Sequence, residues 1–353
     1  MKALDDVVKC IKPINYDLMN KAQSKLDNLT KPQGSLGRLE EFAKKIVCIT
    51  GTLSPTIPNK VIFTIAGDHG VAEEGVSLFP KEVTEQMVYN FLQGGAGVNV
   101  ISKHIGARVV VVDMGVASDL REEPGLVVKK IGYGTDNMTK GPAMKRDDAI
   151  KSIEGGINLI EAELKKNKVD IIGIGDMGIA NTTSSSAICS CITGADVVDV
   201  TGRGTGIDDE HLEIKIDVIK RSIEINNPDP KDPIDVLSKV GGYEIGGLAG
   251  IILGAVAHNI PVVLDGFITT CAALIATTIS PISKEYIFGS HNSVEIGHSV
   301  ALNWMGIEPM FNLKMRLGEG TGACLAISFI ETGVKILNEM TTFEDAGVSK
   351  EKN

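Results

Sequence analysis

Through the middle of the chain, short runs of consecutive apolar residues alternate with longer stretches whose apolar positions recur at helical spacing. The runs at 61–66, 108–113, 126–131, 169–174, 261–264 and 285–288 are rich in valine and isoleucine and are flanked by glycine, proline or charged residues. That pattern predicts buried strands. Helices are expected over 82–92, 146–166 and 245–258. Others open at 93–97 and after Asp208-Asp209, the latter carrying Lys215, and Asp235 is expected to start or cap one more. Strands alternating with helices predict an α/β fold with a parallel sheet. The ends of the chain differ. Residues 1–50 read as helices, with breaks at 31–40, and helical character returns after residue 319. A proline-bearing linker at 52–59 separates the first region from the strands.

Composition narrows the field. At 353 residues the chain exceeds the usual single-domain size, so a large domain plus a smaller unit is expected. Hydrophobic residues make up 43% and aromatics only 4%, so the core is aliphatic, as buried parallel strands require. A formal net charge of −10, with no basic run, argues against a nucleic-acid partner. No apolar stretch reaches the length of a membrane span; 245–264 comes nearest, and glycines and His258 interrupt it. The first six residues turn acidic where a secretory signal would become apolar, which points to the cytoplasm. Six cysteines are scattered through expected core segments. Cys189 and Cys191 form a C-x-C pair without a nearby His or Cys at ligand spacing, so buried thiols in a reducing compartment account for them better than a metal site.

Candidate chemistry gathers where strands end. Asp68 and His69 follow the first run, Asp113 ends the second, and 289–293 places polar residues after the last. In an open parallel sheet that edge is where ligands bind. Local turn hydrogen bonds are the alternative for Asp68 and His69. The stretch 175–187, GDMGIANTTSSSA, has the form of an anion cradle opening a helix, or of a Ser/Thr-rich cap. It lacks the signatures of a P-loop and of a dinucleotide fold. A second glycine loop lies at 201–206, a third at 239–244, and 31–40 holds either a phosphate loop or a simple helix connection. Ser77, Phe79, Gln86 and Met87 are available to line a flat apolar pocket, or belong to the core. At 315–323, MRLGEGTGA, three glycines surround a single carboxylate, Glu319, ahead of an apolar helix. Glu319 is either a base raised in pKa at a cleft wall or a complement to the helix dipole.

Six stretches taken together, 31–40 (KPQGSLGRLE), 66–71 (AGDHGV), 175–183 (GDMGIANTT), 235–242 (DVLSKVGG), 264–267 (LDGF) and 315–323, resemble the nicotinate-nucleotide:dimethylbenzimidazole phosphoribosyltransferase family. The resemblance implies a Rossmann-like sheet flanked by helices over 56–318, with a small helical domain built from both ends, 1–55 and 319–353. It implies transfer of phosphoribose from β-nicotinate mononucleotide to a benzimidazole, purine or phenolic base in cobamide assembly. No metal or organic cofactor is implied. The working unit is expected to be a homodimer, or a heterodimer with a paralogue if the base is phenolic. By the same resemblance Glu319 is the general base. Asp176 stands where relatives commonly carry Glu, one methylene longer, so its reach is reduced. Gly178, Asn181, Thr182 and Gly204, with Lys215 as cation, are the expected phosphate site, and Asn292 with Ser293 the expected carboxylate site. Arg316 is expected near Glu319, as a charge partner or a loop-shaping bridge, with Leu317 among the substrate-binding positions.

Overall fold

The computed structural model describes residues 3–349. Seven strands form one parallel sheet: β1 (Lys60–Gly67), β2 (Arg108–Gly115), β3 (Leu126–Val128), β4 (Ile171–Met177), β5 (Val262–Leu264), β6 (Ile287–His291) and β7 (Pro309–Phe311). Their spatial order is β3-β2-β1-β4-β5-β6-β7, so the winding reverses between β1 and β4. All eight residues of β1 are buried, as expected for a strand covered by helices on both faces. The parallel α/β expectation therefore holds, and the order is that of a Rossmann-like, doubly wound sheet.

Several elements depart from the expected bounds in ways that matter to the site. Strand β4 continues through Met177, so Gly175 and Asp176 belong to the strand itself and not to the loop after it. Strand β6 likewise carries His291. Asp232, not Asp235, caps the helix Pro233–Val240, accepting the N–H groups of Ile234 and Asp235. Glu244 lies in the first turn of the helix Tyr243–Ala257 instead of in a loop. Helices Phe267–Ile279 and Ile296–Met305, and strand β7, were not anticipated. The first of these is buried from 267 to 277, so no polar face marks its period.

The two ends of the chain meet. Ala22, Leu26, Leu29, Ala43, Val47 and Leu337 form an apolar cluster apart from the main core. Backbone bonds from Thr30 to the Thr341 carbonyl and from Phe343 to the Asn28 carbonyl tie the ends together. The helix Thr321–Glu339 serves both clusters: Ala323, Cys324 and Ile327 pack in the main core, and Leu337 in the small one. Its first turn therefore sits against the sheet, beside the strand ends. Among the described residues no helix is long and apolar enough to cross a membrane.

Candidate active site

A cleft of about 420 Å³ opens at the C-terminal edge of the sheet, lined from the ends of β4, β5 and β6 and the loops around them. This is the side on which doubly wound sheets bind ligands, next to the reversal between β1 and β4. Glu319 is one wall. Its backbone is left-handed, φ 65°, between two glycines that also have positive φ. A glutamate in that conformation costs about 1–2 kcal/mol, so the surroundings have to hold it there. Three contacts do so. Thr64 of β1 donates its hydroxyl to the Glu319 carbonyl at 2.8 Å. Asp265, just past β5, accepts the Gly320 N–H at 2.9 Å and that of Gly322 at 2.6 Å. The Glu319 side chain accepts the Val98 N–H at 3.1 Å, at the start of the helix Gly97–His104. Burial raises the Glu319 pKa above its ordinary value, and the N–H groups of Val98 and Gly97 offset part of the rise.

Asp176 forms the floor beside it. Its Oδ2 accepts the Asn181 amide at 2.9 Å, and Oδ1 has no partner among the described residues. Burial, followed by the nearby carboxylates of Asp265 and Glu244, pushes its pKa well up, favouring the neutral acid; the Asn181 amide opposes this. Asp265 is pushed up to about 7 by burial, against the N–H groups it accepts.

The rest of the lining divides by chemistry. Val76, Phe79, Val83, Met87, Ile179 and Leu317 supply apolar surface. The start of the helix Asn181–Thr193 brings Gly178, Asn181 and Thr182, and the positive end of the helix dipole there suits an anion. Gly204 lies across from it: its N–H bonds Glu295 at 2.9 Å, and its carbonyl accepts Arg316 at 2.9 Å. Beneath both, Lys215 is fully buried and donates to the Thr182 hydroxyl at 2.8 Å and the Gly202 carbonyl at 3.2 Å. Burial lowers its pKa to about 8, with Glu295 opposing, so the ammonium form still prevails at neutral pH.

Of the residues singled out from sequence, Glu319, Asp176, Ser77, Phe79, Met87, Gly178, Asn181, Thr182, Gly204, Ser293, Arg316 and Leu317 all line this one cleft. Lys215 lies directly under its polar end. Gln86 is solvent-exposed and outside the lining. Asn292 instead lines a neighbouring groove with Arg38 and Phe311. Arg316 makes its recorded bond to Gly204 and not to Glu319, so the anticipated bridge gives way to a link between the two loops. Asp68 and His69 turn inward. Asp68 accepts the Ala117 N–H at 2.8 Å, while His69 joins Glu244 at 2.6 Å and Ser184 at 2.9 Å. Sequence reasoning did not single out the lining residue Glu295, and took His291 only as part of the polar stretch 289–293. Glu295 directly precedes the unanticipated helix Ile296–Met305. His291 keeps its Nε2 without a partner among the described residues and is pushed down to about 4 by burial, hence neutral.

A doubly wound sheet with a buried carboxylate beside an anion-suited helix terminus defines an α/β enzyme of the nucleotide-handling kind. A family model described as "Phosphoribosyltransferase" matches residues 11–348. The chain is 56% identical to the nicotinate-nucleotide–dimethylbenzimidazole phosphoribosyltransferase of Geobacter metallireducens, and 57% to that of Geotalea uraniireducens, covering 99% of both chains in each case. The crystal structure of the Thermus thermophilus enzyme of that name superposes with a TM-score of 0.90 at 36% identity, covering 96% of this chain and all of the other. The chain belongs to the nicotinate-nucleotide–dimethylbenzimidazole phosphoribosyltransferase family.

Proposed function

We infer that this protein transfers the phosphoribosyl group of β-nicotinate mononucleotide to 5,6-dimethylbenzimidazole, giving an α-riboside 5′-phosphate and nicotinate for assembly of the cobamide nucleotide loop. The observation that carries the reading is Glu319, a carboxylate held at a cleft wall with a raised pKa. The bond that breaks joins C1′ to a pyridinium nitrogen. Its electron pair returns to that nitrogen, and nicotinate leaves with a neutral ring that needs no acid. The difficulty lies with the acceptor, a weak nucleophile that must lose its N–H proton as it bonds to C1′. Glu319 takes that proton. Inversion from β to α places the acceptor and nicotinate on opposite faces of the sugar, and holding three groups in line supplies much of the remaining rate.

The apolar lining formed by Phe79, Met87 and Leu317 suits the flat acceptor. The phosphate is assigned to the helix start at Gly178, Asn181 and Thr182, with the loop at Gly204 and the Lys215 charge beneath. Replacing Lys215 by methionine is expected to weaken nucleotide binding about ten- to hundredfold, the scale of one lost charged hydrogen bond, with a smaller effect on turnover. Calorimetric titration with nicotinate mononucleotide measures it, and an unchanged affinity would remove Lys215 from the phosphate site. Ser293, whose hydroxyl reaches the Met315 carbonyl at 3.2 Å, is the candidate for the nicotinate carboxylate.

Six unpaired thiols suit a cytoplasmic setting. Leu78, Phe79 and Leu317 are 55%, 51% and 61% exposed, an apolar rim that a second copy would cover in a homodimer. Sedimentation at micromolar concentration tests this, and a monomer would remove it. The function itself is tested with purified protein, nicotinate mononucleotide, and dimethylbenzimidazole, adenine and phenol in competition. Acceptor-dependent nicotinate release, with the benzimidazole riboside as main product, is expected. Exclusive use of phenol would replace this reading with that of a phenol-activating enzyme, and no release with any acceptor would overturn it.

A further inference from the structure

Asp265 has no role in the chemistry described so far, yet its contacts converge on the residue that has the largest one. It is fully buried. Oδ2 accepts the Gly320 N–H at 2.9 Å, and Oδ1 accepts those of Gly322 at 2.6 Å and Ala323 at 3.3 Å. These are the residues immediately after Glu319, at the start of the helix Thr321–Glu339. Asp265 is itself fixed from its own side of the sheet. Its N–H donates to the Thr269 hydroxyl at 2.9 Å, and its carbonyl accepts the Ser290 hydroxyl at 2.8 Å. A rigid chain of contacts therefore runs from β5 and β6, through one carboxylate, into the peptide following the base.

We propose that Asp265 is a positioning residue that sets the aim of the Glu319 carboxylate by gripping the backbone N–H groups on its C-terminal side. Two oxygens on three N–H groups constrain rotation of the 319–320 peptide as well as its distance from the sheet. The carbonyl of the same 319–320 peptide is pinned by the Thr64 hydroxyl. With one grip gone, the left-handed residue relaxes towards an ordinary conformation and its side chain leaves the line of the acceptor. A misplacement of about 1 Å at a reacting centre can cost about 10²-fold in rate. Asp265 contributes no surface to the cleft lining, so substrate affinity depends on it only weakly.

The proposal rests on Glu319 being the base, and a double-mutant cycle separates the two claims. Asp265→Asn keeps size but turns one acceptor into a donor. It is expected to lower kcat about 10²-fold while KM for nicotinate mononucleotide moves by no more than about threefold. In the Glu319→Gln background the same substitution should cost almost nothing, because the base it aims is already gone. Losses that add across the cycle would overturn the proposal and leave Asp265 a purely structural cap. So would wild-type kcat in Asp265→Asn. Wild-type kcat in Glu319→Gln alone would remove the base reading and this proposal with it. If Asp265→Asn does not fold, judged by circular dichroism, Asp265→Glu goes through the same cycle, with additivity again the overturning result.

Discussion

Replacing Glu319 by glutamine is expected to cut turnover by about 10²–10⁴-fold while the protein stays folded, because on the proposed mechanism the substitution removes the base and little else. The amide keeps the shape of the carboxylate and one acceptor for the Val98 N–H. The backbone contacts from Thr64 and Asp265 involve main-chain atoms of 319 and 320 and are untouched. Binding of nicotinate mononucleotide should change little, since the polar groups assigned to its phosphate lie at Asn181, Thr182 and Lys215. Steady-state nicotinate release, with a circular dichroism spectrum as the folding control, measures the effect. Turnover within a few fold of wild type would mean that another group takes the acceptor proton.

As the proposed base, the same carboxylate should give the reaction its acid limb. Burial raises the Glu319 pKa above the ordinary glutamate value, about 4.3. A base works only when deprotonated, so activity is present above the raised pKa and is lost as pH falls through it. The acid limb of kcat/KM should therefore lie above that of an ordinary glutamate, and the residual activity of Glu319→Gln should lack the Glu319 contribution to it.

How much of this was legible in the sequence depends on whether the deciding contacts are local. The strands were, since a parallel strand buried on both faces reads as an unbroken aliphatic run whatever its neighbours do. The unusual backbone at Glu319 was, because glycines on both sides announce it. The partners of Glu319 were not. Thr64 lies 255 positions away and Asp265 lies 55 positions from Gly320, and no local spacing reports either contact. Gln86 and Met87 show a finer limit: one step along a helix turns the side chain by about 100°, which puts Met87 in the cleft and Gln86 in solvent. Asn292 and Ser293 separate in the same way just past β6, one facing each of two grooves. Arg316 was drawn to Glu319 by nearness in sequence. Its guanidinium reaches the Gly204 carbonyl on the facing loop instead.

Gly175→Ala should be nearly as damaging as loss of the base itself, although residue 175 carries no chemistry. It sits on β4, under the loop that presents Glu319. A Cβ there would fall 2.2 Å from both the carbonyl carbon and oxygen of Glu319, and 2.3 Å from the Gly320 nitrogen. All three are main-chain atoms, so no rotamer change relieves the clash, and the loop has to rise off the sheet. That motion opposes the grip of Asp265 and Thr64 on the same peptide. Overpacking of this kind typically costs about 1–3 kcal/mol of stability, which a protein of this size can survive. The rate should suffer more, by about 10²-fold or beyond, because the displaced atoms belong to the proposed base. Gly155→Ala is the control. It lies inside the helix Arg146–Lys166, where a Cβ meets only the flexible end of Met114 at 3.3 Å. Alanine there should leave activity unchanged and be neutral or stabilising by about 0.5–1 kcal/mol. Thermal melts and kcat for the two variants separate a damaged site from a generally loosened fold. A Gly175→Ala protein with wild-type kcat would show that contact with β4 does not set the position of Glu319.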